Sequence, residues 1–252
     1  MIVLRTDRVW WMPPNGALHG FAVDRLMWWN LVALTALFLL AHVFLFAAMV
    51  RGKRAASDGA RLSLKWELVP LAGITLIYAW MAISAQRLWG TIRYQGAAPQ
   101  ALQVEVTGEQ FQWYFRYPGG DAVFGLTRPE LINAPAGNPV GLDRADPHSS
   151  DDVVSSVLVL PAGREVDLGI RSIDVIHGFF IPGMRLKQNA VPGMEMHVHF
   201  TPSVAGDYPI LCSQVCGLGH ARMQAHLRVV SEREYAAWLA NHAPRHLDGG
   251  TR

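Results

Sequence analysis

The sequence predicts two membrane-spanning helices followed by an all-β domain of sandwich or small-barrel type, and two features carry that prediction. Hydrophobic residues make up 51% of the 252 positions and charged residues only 17%, against about 25% charged in an ordinary soluble domain. The apolar excess lies mostly in two long runs near the N-terminus, whereas the rest of the chain alternates apolar and polar residues between turn signals. This composition excludes disorder and collagen-like repetition for the bulk of the chain. A net charge of +2 is too mild to argue for a nucleic-acid partner, and two cysteines cannot build a disulfide framework for a chain of this size.

From Leu26 to Val50 no Asp, Glu, Lys or Arg occurs, and only Asn30, Thr35 and His42 interrupt the apolar run. At about 1.5 Å per residue, a helix of that length exceeds a hydrocarbon core of about 30 Å. A second run extends from Leu68 to about Ala85, with Pro70 in its first turn, where a missing N–H costs little. Trp28, Trp29, Trp66, Tyr78, Trp80 and Trp89 include several at expected interfacial positions. The connecting segment 51–65 carries five cations (Arg51, Lys53, Arg54, Arg61, Lys65) against Asp58. The positive-inside rule places this loop in the cytoplasm and both chain ends outside. The first 25 residues lack the pattern of a cleaved signal peptide, so the first span is expected to be retained.

The expected organisation is an extracytoplasmic segment (1–25), a helical hairpin (26–90) with its cytoplasmic loop, a linker (91–100), an exported β domain (101–232), and a C-terminal helix and tail (233–252). Candidate strands are Leu102–Thr107, Phe111–Tyr117, Ser155–Leu160, Glu165–Arg171, Met194–Thr201, Tyr208–Leu211 and Ala225–Val230. Gly119-Gly120, Pro161-Ala-Gly163, Pro192-Gly193 and Ala205-Gly206-Asp207 mark turns. Seven or so short strands without intervening helices point to a sandwich or barrel. Arg128 to Asp152, rich in Pro, Gly and Asp, reads as an excursion loop, and Glu232–Leu239 as a closing helix capped by Ser231.

The chemistry concentrates in Cys212-Ser-Gln-Val-Cys216-Gly-Leu-Gly-His220-Ala-Arg-Met223. Thiolate and thioether donors joined to imidazole select copper over hard cations. A thioether has no place in the usual structural zinc sites. Oxidation outside the cytoplasm also permits a plain disulfide between the two cysteines, but His220 and Met223 at these spacings favour a metal. An anchor from elsewhere is still needed, and His177, set among apolar residues, is the best candidate. His197 and His199 share a strand face that reads as solvated; His226 reads as structural or exposed, and Met194 and Met196 as filler.

These residues resemble subunit II of the haem–copper cytochrome c oxidases. The resemblance rests on Asp174-Val-Ile-His177, on Val191-Pro-Gly193, on Cys-x3-Cys-x3-His-x2-Met from Cys212 to Met223, and on the aromatic strand Gln110 to Pro118. The loop with Asn138-Pro-Val-Gly-Leu-Asp143 and Asp151-Asp152 is similar to bacterial, alternative-type members. The resemblance implies a two-helix transmembrane hairpin followed by a periplasmic cupredoxin-like sandwich holding two copper ions, the CuA centre, in the bacterial inner membrane. It implies bridging by Cys212 and Cys216, terminal ligation by His177 and His220, and weak ligation by Met223 and the Gln214 backbone carbonyl. The implied activity is that of an oxidoreductase and translocase subunit: single electrons pass from cytochrome c to CuA and on to haem in subunit I. Subunit III and membrane lipid are the further partners.

Three positions depart from the family pattern. Gln214 stands where a Glu usually helps bind magnesium at the subunit boundary; the amide is a weaker ligand for a hard cation, which weakens the case for that ion. Phe111 aligns with the usual electron-entry Trp, leaving Trp113 as the nearest indole and candidate entry point. Asn189 replaces a common Asp, and Asp143, Asp146, Asp151 and Asp152 are candidates for a substitute acidic docking face, with a solvated loop as the plainer account. Glu67 resembles a proton-channel entrance, although helix-end snorkelling beside Lys65 is the simpler reading. Two other functions share parts of the pattern. A nitric-oxide reductase subunit would keep the copper centre. A thioredoxin-like copper chaperone also uses Cys-x3-Cys with a distant His, but has one span, lacks the Met, and alternates strands with helices.

Overall fold

The computed structural model describes residues 12–52 and 64–244. They form two units, one helical (Phe21–Tyr94) and one in which the residues up to Gly20 join those from Gln95 onward. In the helical unit, α1 spans Gly20–Gly52 and α2 spans Leu64–Trp89, continued by a π-helical turn over Gly90–Tyr94. Both are long and apolar enough to cross a membrane, and no residue of either apolar window is buried. Side chains apolar on all faces suit a lipid environment. His42 is satisfied within its own helix, Nδ1 lying 2.8 Å from the Phe38 carbonyl oxygen.

Both helices outrun their apolar cores. α1 starts before Leu26 and takes in Asp24 and Arg25; α2 starts at Leu64, so Pro70 sits two turns in rather than in the first turn. Its ring removes the backbone bond to the Trp66 carbonyl, a defect that membrane helices tolerate. Most of the connecting cationic loop (53–63) lies outside the described residues.

The β unit is a sandwich of two five-stranded sheets. Its strands are β1 (Leu102–Glu109), β2 (Gln112–Tyr117), β3 (Val153–Ser155), β4 (Val157–Pro161), β5 (Val166–Ser172), β6 (His177–Ile181), β7 (Leu186–Ala190), β8 (Met196–Phe200), β9 (Gly206–Cys212) and β10 (Gln224–Val230). One sheet runs β3-β2-β1-β5-β8 and the other β4-β10-β9-β6-β7. Trp113, Phe115, Leu168 and Ile170 of the first and Leu158, Phe179, Ile210 and Leu227 of the second are fully buried between them. The Tyr117 hydroxyl crosses the core, donating to the Val159 carbonyl (3.1 Å) and accepting from the Val159 amide (2.7 Å).

Three features differ from the sequence expectation. The single strand expected at Ser155–Leu160 is two, because the chain changes sheets at Ser156. The Ser155 hydroxyl fixes that corner through the Val157 amide (3.0 Å) and carbonyl (2.9 Å). The β6–β7 hairpin was not expected. His177-Gly-Phe-Phe-Ile lacks alternation because nearly all of it is buried, and Leu186-Lys-Gln-Asn-Ala buries only its two ends. Finally, the segment before α1 is part of the β unit: the Gly16 amide donates to the Gly183 carbonyl (2.8 Å), and buried Ala17 bridges Pro202. A Cβ on Gly16 would lie 2.6 Å from the Tyr208 hydroxyl, so the close approach requires glycine.

The closing helix α3 (Glu232–His242) carries the expected Ser231 cap, completed by Glu234 into a reciprocal capping box. Its Trp238 packs edge-on against Tyr117 at 5.0 Å.

Candidate metal centre

His177 is the first residue of β6, and Cys212 the last of β9. The two strands pair with Phe179 opposite Cys212, and the Ser213 amide donates to the Gly178 carbonyl (2.8 Å). The sheet therefore fixes the histidine against the start of the cysteine loop. The loop then folds back on itself: His220 N–H donates to Gly217, Met223 N–H to His220, and Cys212 N–H to the Met223 carbonyl.

The result is a tight cluster. Cys212 Sγ lies 3.8 Å from Cys216 Sγ and 3.2 Å from the Gln214 carbonyl oxygen. Cys216 Sγ lies 3.7 Å from His220 Nδ1 and 3.8 Å from Met223 Sδ. The donor atoms of His177, Cys212 and Cys216 all fall within 4.8 Å of one another. Both cysteines are free. A sulfur separation of 3.8 Å far exceeds the roughly 2.05 Å of a disulfide, yet lets both thiolates reach one ion at metal–sulfur distances of about 2.3 Å.

The donor set fits a soft metal. His177, wholly buried, places Nε2 2.8 Å from the Asp174 carboxylate, while its Nδ1 is buried without a hydrogen-bond partner. Donation from Nε2 leaves a lone pair on Nδ1, the arrangement of a ligating histidine held by a carboxylate. Partial burial works against the Asp174 charge, but hydrogen bonds from His177 and from the Val175 and Gln110 amides outweigh it and lower its pKa. Burial, followed by the neighbouring Cys212 thiol, pushes the Cys216 thiol up to about 11. A metal that takes this sulfur as thiolate must therefore displace its proton.

The sequence-predicted residues divide clearly. His177, Cys212, Gln214 (through its carbonyl), Cys216, His220 and Met223 are brought together. Trp113 is fully buried, its ring 5.7 Å from His177 and 5.1 Å from Phe179. Phe111 instead lies over the loop, 39% exposed, where a Cβ on Gly219 would come within 2.4 Å of its ring. Of the two, only Phe111 reaches the surface. His197 and His199 stay outside the cluster, bonded to Asp167 of β5 (3.0 Å) and to Glu165 just before it (3.1 Å). His226 is exposed.

The four aspartates that are candidates for a docking face also fasten the excursion loop. Asp143 holds Arg128 (2.7 Å), Asp146 accepts from the Leu126 amide (2.6 Å), and Asp151 accepts from the Gly120 amide (2.6 Å). Asp152, with no exposed side chain, binds buried Arg116 at 2.6 Å. Around the cysteine loop the exposed side chains are mixed: Val175, Ile176, Val215, Leu218 and Phe111 are apolar, while Ser213, Gln214 and Arg222 of the loop are exposed as well. In the sequence Asp174 stands out only as part of the motif; the signal for its role is a carboxylate three residues before His177.

Comparison with known proteins identifies the family. Residues 102–230 match the family model for the periplasmic domain of cytochrome c oxidase subunit II. The chain is 35% identical over 239 residues to the alternative cytochrome c oxidase subunit 2 of Bradyrhizobium diazoefficiens, spanning 91% of this chain and 83% of that protein. It is 31% identical over 192 residues to cytochrome c oxidase subunit 2 of Cereibacter sphaeroides, spanning 71% of this chain and 59% of that one. Among solved structures, the periplasmic domain of subunit II of cytochrome oxidase from Bradyrhizobium japonicum aligns over 57% of this chain at 27% identity, with a TM-score of 0.42. Two apolar helices, a cupredoxin-like sandwich and a match over the stretch that carries both cysteines converge on one assignment: this chain belongs to the cytochrome c oxidase subunit II family.

Proposed function

We propose that this chain is the electron-entry subunit of a haem–copper cytochrome c oxidase in a bacterial inner membrane. In this reading the hairpin 26–90 anchors it, the linker 91–100 leads out, and the sandwich 101–232 stands on the periplasmic side. The observation that carries the reading is the convergence of two free thiols, two imidazoles, a thioether and a carbonyl around sulfurs 3.8 Å apart.

His177, Cys212, Cys216, His220, Met223 and the Gln214 carbonyl would hold two copper ions. Bound there, copper supplies a one-electron carrier. The chain supplies the rest. Packed strands fix His177 and Cys212, Asp174 orients the imidazole, and burial of Cys216, Met223 and His177 excludes water. A centre held this rigidly changes charge with little rearrangement. Gln214 is exposed and brings an amide where a carboxylate would be needed, so the reading includes no magnesium ion. Cytochrome c would dock over Phe111, with Trp113 behind it against His177, and electrons would leave to haem in subunit I, with subunit III completing the complex.

The test uses the assembled complex. Rapid mixing with reduced cytochrome c should give fast oxidation under oxygen, lost in Cys216→Ser and kept in His197→Ala. Oxidation unaffected by Cys216→Ser would overturn the proposal; turnover with nitric oxide but not oxygen would move it to the reductase branch.

A further inference from the structure

We propose that Gln110, in the turn between β1 and β2, is a positioning residue that locks the two halves of the metal centre together; this rests on the copper reading above. The ligands come from two segments with different support. His177 and Cys212 belong to paired strands, but Cys216 lies out in the 213–223 loop, beyond the sheet ladder. A centre built on both sulfurs needs the second as firmly placed as the first, since ligand geometry depends on the shell behind it.

Gln110 spans that gap with two hydrogen bonds. Its backbone amide donates to Asp174 Oδ2 at 2.7 Å, and the other oxygen of the same carboxylate lies 2.8 Å from His177 Nε2. Its side-chain amide donates to the Cys216 carbonyl at 2.5 Å. One residue thus ties the carboxylate that orients His177 to the peptide that carries Cys216. The fit leaves no slack: a Cβ on Gly217 would lie 2.8 Å from Gln110 Nε2, and the next residue, Phe111, covers Gly219. Glycines at 217 and 219 let the turn lie flat on the loop. The carbonyl that Gln110 binds carries no metal role in the proposed set, so its effect on the centre is indirect, through the position of the Cys216 backbone.

The side-chain half of the clamp is open to a direct test in the full-length chain. Gln110→Ala removes the bond to the Cys216 carbonyl. Gln110→Glu keeps the length but sets a carboxylate against that oxygen. Gln112→Ala, exposed two residues on, is the control. Copper affinity, measured by competition with a chelator, should fall by about 10- to 100-fold in both Gln110 variants, the usual scale for loss of a ligand's supporting partner. The copper hyperfine splittings and reduction potential should shift as well. In the metal-free chain, alkylation of the thiols by iodoacetamide should run about three- to tenfold faster, as expected when one hydrogen bond restraining a local opening is lost. Gln112→Ala should leave all four readouts unchanged. Equal affinity, splittings, potential and alkylation rate in wild type and both Gln110 variants would overturn the clamp while leaving the copper reading intact. Failure of the wild-type chain to bind copper would overturn the copper reading, and the alkylation rates alone would then decide the clamp.

Discussion

Asp152→Ala offers a test of how the excursion loop is held. Arg116 is 2% exposed and its guanidinium makes two contacts to Asp152 Oδ2, at 3.0 and 2.6 Å, one to Glu105 at 3.0 Å, and one to the Gly125 carbonyl. Asp152 Oδ2 also accepts from the Gly125 amide at 3.0 Å. Removing the carboxylate leaves a buried cation with one remaining anionic partner and frees the loop backbone over it. Breaking a buried ion pair from one side typically costs about 3–5 kcal/mol, and the surviving Glu105 contact places this case near the lower bound. If the sheet opens as one unit, amide exchange in β1 and β2 should accelerate by about 100-fold or more, the factor that about 3 kcal/mol implies. Hydrogen-exchange mass spectrometry on the full chain reads this directly. Acceleration below about tenfold in those strands would refute the reasoning, because it would mean that Arg116 finds water or Glu105 at little cost.

Other outcomes follow from the same geometry. The hydrogen bond to Asp121 raises the pKa of His148 and, reciprocally, lowers that of Asp121. The pair's contribution is full below the unfolded histidine value near 6.5 and disappears as pH rises through the higher folded value; on the acid side it is lost as pH falls through the depressed Asp121 value. The His148 titration midpoint measured by NMR should lie above the ordinary value, and Asp121→Asn should bring it back. Gly219 has φ −88°, which alanine adopts freely, so Gly219→Ala tests packing alone: a Cβ within 2.4 Å of the Phe111 ring should cost about 1–3 kcal/mol as overpacking, read as faster exchange of the 212–223 amides. Because the loop aspartates are engaged internally and the 213–223 loop exposes one formal charge, Arg222, oxidation of reduced cytochrome c should change by less than about tenfold between low and physiological salt. A steep fall would show that charges elsewhere on the chain or its partners steer the encounter.

The helices, the cluster of candidate ligands and most strands are legible in the sequence because each leaves a local trace. Leu26–Val50 is apolar for long enough to span a bilayer, Glu165–Arg171 alternates cleanly, and the donors of the 212–223 loop sit within a dozen residues. What was illegible depends on tertiary burial. His177–Ile181 loses its alternation because both of its faces are covered, and Ser156 changes sheets without any Gly or Pro to mark the place. Asp143, Asp146, Asp151 and Asp152 look like a free acidic surface when read along the chain, yet each faces a donor brought in by folding, Asp152 meeting Arg116 of β2 across 36 positions. The role of Gln110 is hidden for the same reason, since its partners Asp174 and Cys216 lie 64 and 106 residues away.

Copper loading of the intact chain tests the central claim most directly. The proposed binuclear centre, built on the sulfurs 3.8 Å apart, predicts two coppers per chain and, in the mixed-valence state, a seven-line hyperfine pattern from one electron shared equally by both nuclei. A single copper with a four-line spectrum, or a Cys212–Cys216 disulfide in the loaded protein, would contradict it.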